Sequence, residues 1–234
     1  MQNATRVVMI SGAGGNLGRA VAAAFAREGE RLVLLDMHAP PTPEEYRNQQ
    51  AACLTLATDV RKPDSLAEAV KQTMQTFGRI DVLCNLVGGF DMGPAVHETS
   101  AERWRAMLDL NVDTLLNAVR AVVPIMLDQG SGKIVNIGAI GGVAGRPHMA
   151  AYSAAKSAVI RLTEAMALEL RERNINVNCV LPSVIDTPQN RTAMPDADPT
   201  HWVAPEDLAD VIVFLASNRA RAVHGAAVPV VGLS

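Results

Sequence analysis

Tyr152 and Lys156 stand four residues apart in a segment whose apolar spacing predicts a helix from about Ala150 onward. That interval stacks two side chains on one helix face. An ammonium beside a phenol favours the phenolate, so the pair could give and take a proton near neutral pH. The same interval also occurs in solvated surface pairs, so its meaning depends on what surrounds it. A second signal lies near the start of the chain, where Ser11-Gly12-Ala13-Gly14-Gly15-Asn16-Leu17-Gly18 separates an apolar run from a helical one. Gly12, Gly15 and Gly18, with Asn16 and Leu17 between them, would let the backbone turn tightly and approach a pyrophosphate. The helix that follows would offer free N–H groups to the anion. The last glycine falls one residue later than in the commonest dinucleotide-binding pattern, which leaves an ordinary tight turn as the alternative.

Asp36 closes the second apolar run, at the place where a carboxylate grips the adenosine ribose of a dinucleotide. A 2′-phosphate about 5 Å from this carboxylate would be repelled by about 3 kcal/mol per unit charge at an effective dielectric near 20. Met37 and His38 supply no Arg or Lys to offset it, so NAD(H) is expected in preference to NADP(H). A strand-capping aspartate without a ligand is the alternative reading.

These residues need a scaffold, and the chain alternates strand-like and helical patterns throughout. Apolar, β-rich runs at 6–11, 31–36, 53–58, 80–85, 133–137, 176–181 and 227–231 predict seven strands. Helical spacing at 17–28, 65–77, 101–127, 150–173 and 205–217 predicts the elements between them. Runs such as 7–10 and 82–86 are apolar without alternation, as a sheet covered on both faces requires. The expected fold is α/β, a doubly wound, Rossmann-type, mostly parallel seven-stranded sheet with helices on both faces. A chain of 234 residues reads as one domain, 1–234, without repeat or linker. A proline-dotted loop at 38–50 is expected on the surface, and a longer one at about 182–204 is expected to act as a lid.

Composition excludes several alternatives. The net charge is −3, and Lys and Arg are dispersed singly, so nucleic acid is not an expected partner. No apolar run is read as approaching a membrane span, and the first residues lack the pattern of a secretion signal, so a cytoplasmic protein without membrane attachment is expected. Cys53, Cys84 and Cys179 lie far apart in strand-like stretches and read as core thiols. The five histidines show no ligand spacing, so no metal is expected. Ala151, Ala154, Ala155 and Ala158 would permit close helix approach in a homodimer, or equally packing against the sheet.

Ser11 to Gly18, Asp36, Asp59-Val60, Asn85 to Gly88, Asn111 and Tyr152 to Lys156, in this order and spacing, resemble the short-chain dehydrogenase/reductase family over essentially the whole chain. The resemblance implies that Asp59 and Val60 hold the adenine and that Asn85 to Gly88 line the adenosine side. It also implies that Lys156 binds the nicotinamide ribose while Tyr152 exchanges the proton, and that the chain assembles as a homodimer or homotetramer. Within Pro182-Ser183-Val184-Ile185-Asp186-Thr187, Pro182 would line the cofactor site and Ile185 and Thr187 would meet the carboxamide. Asn111 would anchor a water linking Lys156 to solvent, or would brace a kinked helix.

One departure matters. Where the family places a serine that donates to the substrate oxygen, thirteen residues before the tyrosine, this chain has Ala139. Losing such a donor costs about 2.7–4 kcal/mol, a hundred- to thousandfold in rate. Ser153 and Ser183 are nearby candidates to replace it, although Ser153 should point to another side of the helix. Within the family, 83–90, Gly138-Ala139, and the run from Val180 through Thr187-Pro188, Asn190-Arg191 and Met194-Pro195 to Asp198 are similar to the dihydropteridine reductases, which share the alanine. A quinonoid pterin or similar conjugated substrate accepts a proton on a ring atom and needs no serine. Three readings therefore stand: an NADH-dependent reductase of such a substrate, a dehydrogenase of hydroxyl or ketone substrates with a substitute donor, and an NAD(H)-binding protein without turnover.

Overall fold

The computed structural model describes residues 5–47 and 52–234. Positions 48–50 of the proline-dotted loop and the first four residues lie outside the described residues. Among the described residues, seven strands form one sheet: β1 (Val7–Ser11), β2 (Arg31–Asp36), β3 (Cys53–Ala57), β4 (Val82–Asn85), β5 (Gly132–Ile137), β6 (Ile175–Pro182) and β7 (Ala227–Val230). Their order is β3-β2-β1-β4-β5-β6-β7, and every pairing is parallel, so the sheet is more uniform than the mostly parallel one expected. Helices α1 (Asn16–Arg27), α2 (Pro63–Phe77), α3 (Ala101–Leu108), α4 (Thr114–Gln129), α5 (Ala150–Leu170), α6 (Pro188–Ala193) and α7 (Pro205–Leu215) supply the connections.

Strand side chains alternate between faces, and in β1 both faces are buried. Val7 and Met9 join Leu66, Leu115, Val122, Met126 and Val159 in a core beneath α2, α4 and α5. Val8 and Ile10 join Phe25, Leu208 and Ile212 beneath α1 and α7. Two cores sharing one sheet explain the continuous apolar runs, since each fully buried aliphatic side chain contributes about 1.5–3 kcal/mol.

Four expectations are corrected. The single helix predicted at 101–127 is two helices joined by a π-helical turn at Asp109–Asp113. The stretch Ala101–Gln129 is also long and apolar enough, by length and a hydropathy of 1.4, to cross a membrane. Here it packs Leu115, Ala118, Val122 and Met126 into the core. The region at 182–204 is no plain loop: it contains α6, and a parallel bridge joins Ile185 to Val203. In the described part of the loop after β2, Tyr46 is buried against the core beneath α1 and α7 and its hydroxyl donates to the Glu30 carbonyl.

Candidate active site

All seven strands point their C-terminal ends the same way, and the order reverses direction between β1 and β4. Such a reversal opens a crevice above the strand ends. A groove with a volume of about 280 Å³ lies there. Gly12, Gly15, Asp36, Asp59, Val60 and Gly88, six residues singled out from sequence, line it. Leu86 and Val87, inside the expected stretch from Asn85 to Gly88, line it as well, whereas Met37, Thr58, Arg61 and Leu110 were missed.

The glycine segment is built for close approach. Gly12 adopts φ +72°, and a Cβ there would press on the Leu86 and Val87 backbone at 3.2 Å. A Cβ at Gly18 would overlap the Gly12 carbonyl oxygen and stand 2.7 Å from Ala13 Cα, so only glycine lets α1 sit this close to β1. No side chain caps the N-terminus of α1 and no acid lies in its first turn, leaving its N–H groups to an anion. Leu17 packs against the core, and the Asn16 amide donates to Gln189 of α6 at 2.8 Å, tying the glycine turn to the lid region. Asp36 accepts from the Gly14 N–H at 2.9 Å and the Met37 N–H at 2.7 Å, which holds its carboxylate at the rim.

Asp59 and Arg61 form a forked ion pair, at 2.9 and 3.0 Å, and hydrogen bonds from Arg61 hold the Asp59 carboxyl below its ordinary range. Asn85 does not line the groove, contrary to expectation. Its amide turns to Asn136 on β5 at 2.9 Å, and Asn136 in turn donates to Thr163 on α5 at 2.9 Å. The Asn85 Oδ1 atom is left buried without a partner.

Lys156 is 4% exposed and its Nζ donates to the Ile137 carbonyl at 3.0 Å. Asn111 sits in the π turn, accepting from the Gly89 N–H at 3.1 Å and donating to the Met107 carbonyl at 3.0 Å. A Cβ at Gly88 would stand 2.8 Å from Asn111 Oδ1 and 2.9 Å from Lys156 Nζ, so Gly88 is the point where the two meet at the groove. The bonds of Asn111 are those of a residue bracing a distorted helix, and such turns frequently mark functional sites.

The expected depression of the Tyr152 phenol by Lys156 does not appear in this geometry. Burial pushes Tyr152 up to about 12 and Lys156 down to about 8. Desolvation disfavours the charged form of each, and Lys156 is spent on a carbonyl rather than on the phenol.

The Tyr152 ring is held from several sides. Phe90 meets it edge to face at 5.0 Å between centroids, and a Cβ at Gly141 would stand 3.2 Å from Tyr152 Cε1 and 3.4 Å from Met149 Cε. Phe90 itself is 59% exposed, presenting an open aromatic surface beside the phenol. Ala139 is buried at the end of β5 and brings no polar atom. Of the substitute donors, Ser183 is engaged with the Val231 carbonyl and Ser234, while the Ser153 hydroxyl is buried and unpartnered.

In the lid region, Pro182 ends β6, Ile185 bridges to Val203, and Thr187 caps α6 by accepting from the Asn190 N–H at 3.2 Å. Asn190 donates to the Ile185 carbonyl and Arg191 forks onto Asp186, so both serve the lid's own shape.

The family described as short chain dehydrogenase matches residues 6–198. A 3-oxoacyl-[acyl-carrier-protein] reductase of Thermotoga maritima is 32% identical, covering 97% of this chain and 96% of the relative. A 2-(S)-hydroxypropyl-CoM dehydrogenase of Xanthobacter autotrophicus is also 32% identical, over 97% and 95%. Among solved structures, a carveol dehydrogenase from Mycobacterium avium in complex with NAD is 29% identical, with a TM-score of 0.85 over 99% of this chain and 98% of that one. None of these three is a pteridine reductase, so the narrower likeness rests on the segments quoted from the sequence alone.

Proposed function

Because the chain belongs to the short-chain dehydrogenase family of oxidoreductases, we propose that it passes a hydride between NAD(H) and a small, planar, conjugated substrate, with Tyr152 exchanging the proton. The observation that carries this reading is the gathering of Lys156 and Asn111 around Gly88 at the groove, beside a Tyr152 whose expected serine partner is the buried Ala139.

The groove suits a dinucleotide, since Gly12, Gly15 and Gly18 bring the backbone within reach of a pyrophosphate and α1 presents uncapped N–H groups. Asp36 would take the adenosine ribose, Asp59 and Val60 the adenine end, Lys156 the nicotinamide ribose, and Ile185 and Thr187 the carboxamide. When bound, the nicotinamide supplies or accepts the hydride. The protein's own contribution is to orient and to move a proton. Tyr152 Oη donates to the substrate atom that becomes electron-rich, and its raised pKa keeps it protonated as a donor at neutral pH. Asn111 keeps the distorted helix in place, and a water held there would return the proton by way of Lys156. Phe90, exposed and packed on Tyr152, offers a stacking face to a flat substrate. A pterin-like ring meets these demands because it is protonated on a ring nitrogen, and a quinone-like ring because conjugation spreads the charge that develops on its oxygen, which lessens the need for a serine donor.

A second reading, a dehydrogenase of hydroxyl or ketone substrates, is favoured by one observation: Ser153 keeps a buried hydroxyl without a partner next to Tyr152. The two are separated by mixing the protein with NADH and following the nicotinamide absorbance, first with quinonoid dihydropterin and a para-quinone, then with a panel of ketones. Faster turnover of the conjugated pair is expected. Faster ketone turnover would favour the second reading, and no turnover on any substrate, despite NADH binding, would overturn both. In the same assay Tyr152→Phe should lose about 10²- to 10⁴-fold in rate with NADH affinity within about twofold.

A further inference from the structure

Asp36 alone argues for exclusion of NADP(H), but it does not stand alone at the adenosine end of the groove. Parallel pairing sets Asp36 beside Ala57, and Thr58 N–H donates to the Asp36 carbonyl at 2.7 Å. The turn that follows β3 is therefore folded against the turn that follows β2. It delivers Arg61 to the groove wall, with its Nη2 atom 3.7 Å from the sulfur of Met37, the residue next to Asp36.

The charge on this wall is balanced. Asp59 is forked by Arg61 and also lies 3.8 Å from Lys62, so one carboxylate is shared by two cations. With Asp36 included, the two carboxylates and two cations cancel. An approaching 2′-phosphate would meet carboxylates offset by a guanidinium in the groove wall and by an ammonium just outside its lining, not an isolated acid. Arg61 is the cation placed to respond, since it lines the groove and has half its side chain in solvent, whereas Lys62 is three-quarters exposed and is not part of the groove lining. Its planar fork can exchange one Asp59 oxygen for a phosphate oxygen without leaving the pair.

We infer that Arg61 is a second determinant of dinucleotide choice, a cation that offsets Asp36 and lets NADP(H) bind, more weakly than NAD(H). This rests on the reading of the groove as a nicotinamide dinucleotide site. The Asp59 to Arg61 pair works as a counterweight: Asp36 sets the preference for the unphosphorylated ribose, and Arg61 limits how strong that preference becomes.

The test is equilibrium binding of NADH and NADPH, read by their fluorescence, to the wild-type protein, Arg61→Gln and Arg61→Lys at low and high salt. Both nucleotides should bind the wild type. Arg61→Gln should weaken NADPH by about fivefold, as expected for a partly exposed charge pair, and NADH by less than twofold. Arg61→Lys should keep most of the wild-type ratio, which a purely structural role for the Asp59 fork would not. Added salt should shrink the NADPH effect. Binding of NADH with no measurable NADPH, or a ratio unmoved by Arg61→Gln, would overturn this inference while leaving the proposed function standing. Failure of the wild type to bind either nucleotide would overturn both.

Discussion

The buried charge of Lys156 makes a quantitative prediction about the protein without cofactor. Lys156 is 4% exposed and, among the described residues, its one hydrogen-bond partner is a neutral carbonyl, that of Ile137. Burial brings its pKa from 10.5 down to about 8. At 1.36 kcal/mol per unit, keeping the ammonium in this environment costs about 3 kcal/mol. The sign follows from proton counting. Between pH 8 and 10.5 the unfolded chain holds this proton more firmly than the folded one, so stability rises with pH across that window. Below pH 8 both states carry the charge and the cost is present in full; above 10.5 neither does and it vanishes. Lys156→Met removes the cost at neutral pH while filling similar space. The variant should therefore exceed the wild type in urea unfolding free energy by an amount approaching 3 kcal/mol at pH 7, equivalent to roughly 6–12 °C in Tm for a chain of this size. By pH 10 most of the difference should be gone. The thiols of Cys53, Cys84 and Cys179, which burial pushes up to about 11, 12 and 11, also titrate folding in this range, but they are common to both proteins and largely cancel in the comparison. A gap between the two proteins that stays constant from pH 7 to pH 10, or a variant less stable than the wild type at pH 7, would refute the claim that a charged amine is held at a desolvated site awaiting a partner.

Two further substitutions probe the site from other directions. Ala139→Ser restores a hydroxyl at the end of β5; the proposed substrate class predicts less than about a threefold change on conjugated substrates and ketone rates that stay low. A ketone gain approaching the 10²- to 10³-fold worth of an oxyanion donor would instead show that the pocket has kept carbonyl geometry. Gly18→Ala forces a Cβ into the Gly12 carbonyl, a rigid backbone group, and should lower the unfolding free energy by about 1–3 kcal/mol or more while weakening NADH binding at least tenfold. Unchanged melting and unchanged binding would mean that α1 does not depend on its close approach to β1.

Much of the scaffold could be read from local pattern, because a two-sided sheet imposes a recognisable composition on its strands. Val7 to Ile10 had to be apolar at every position once both faces were covered, and the structure buries all four. The glycine turn was equally legible, since backbone approach at Gly12 and Gly18 tolerates no other residue. The break in the helix at Asp109–Asp113 was not, because a π turn keeps the helical composition and alters only the hydrogen-bond interval. The helix in the lid region was missed for a different reason. It spans only Pro188–Ala193 and is held by Thr187, Asn190 and Asp186 rather than by an apolar face.

The sequence by itself determined which chemical groups are available: a phenol and an amine one turn apart, an anion-binding turn, an acid at the end of β2, and an alanine where a hydroxyl was expected. Those depend on residue type and short-range spacing, which a chain states directly. The tertiary structure alone decided what each group faces. It turned Asn85 away from the groove and into a file with Asn136 and Thr163, spent Lys156 on the Ile137 carbonyl, and raised Tyr152 by burial. It also carried Arg61 to Met37 across 24 residues by pairing β2 with β3 in parallel. Electrostatics depends on distance and desolvation in three dimensions, and neither is a function of separation along the chain.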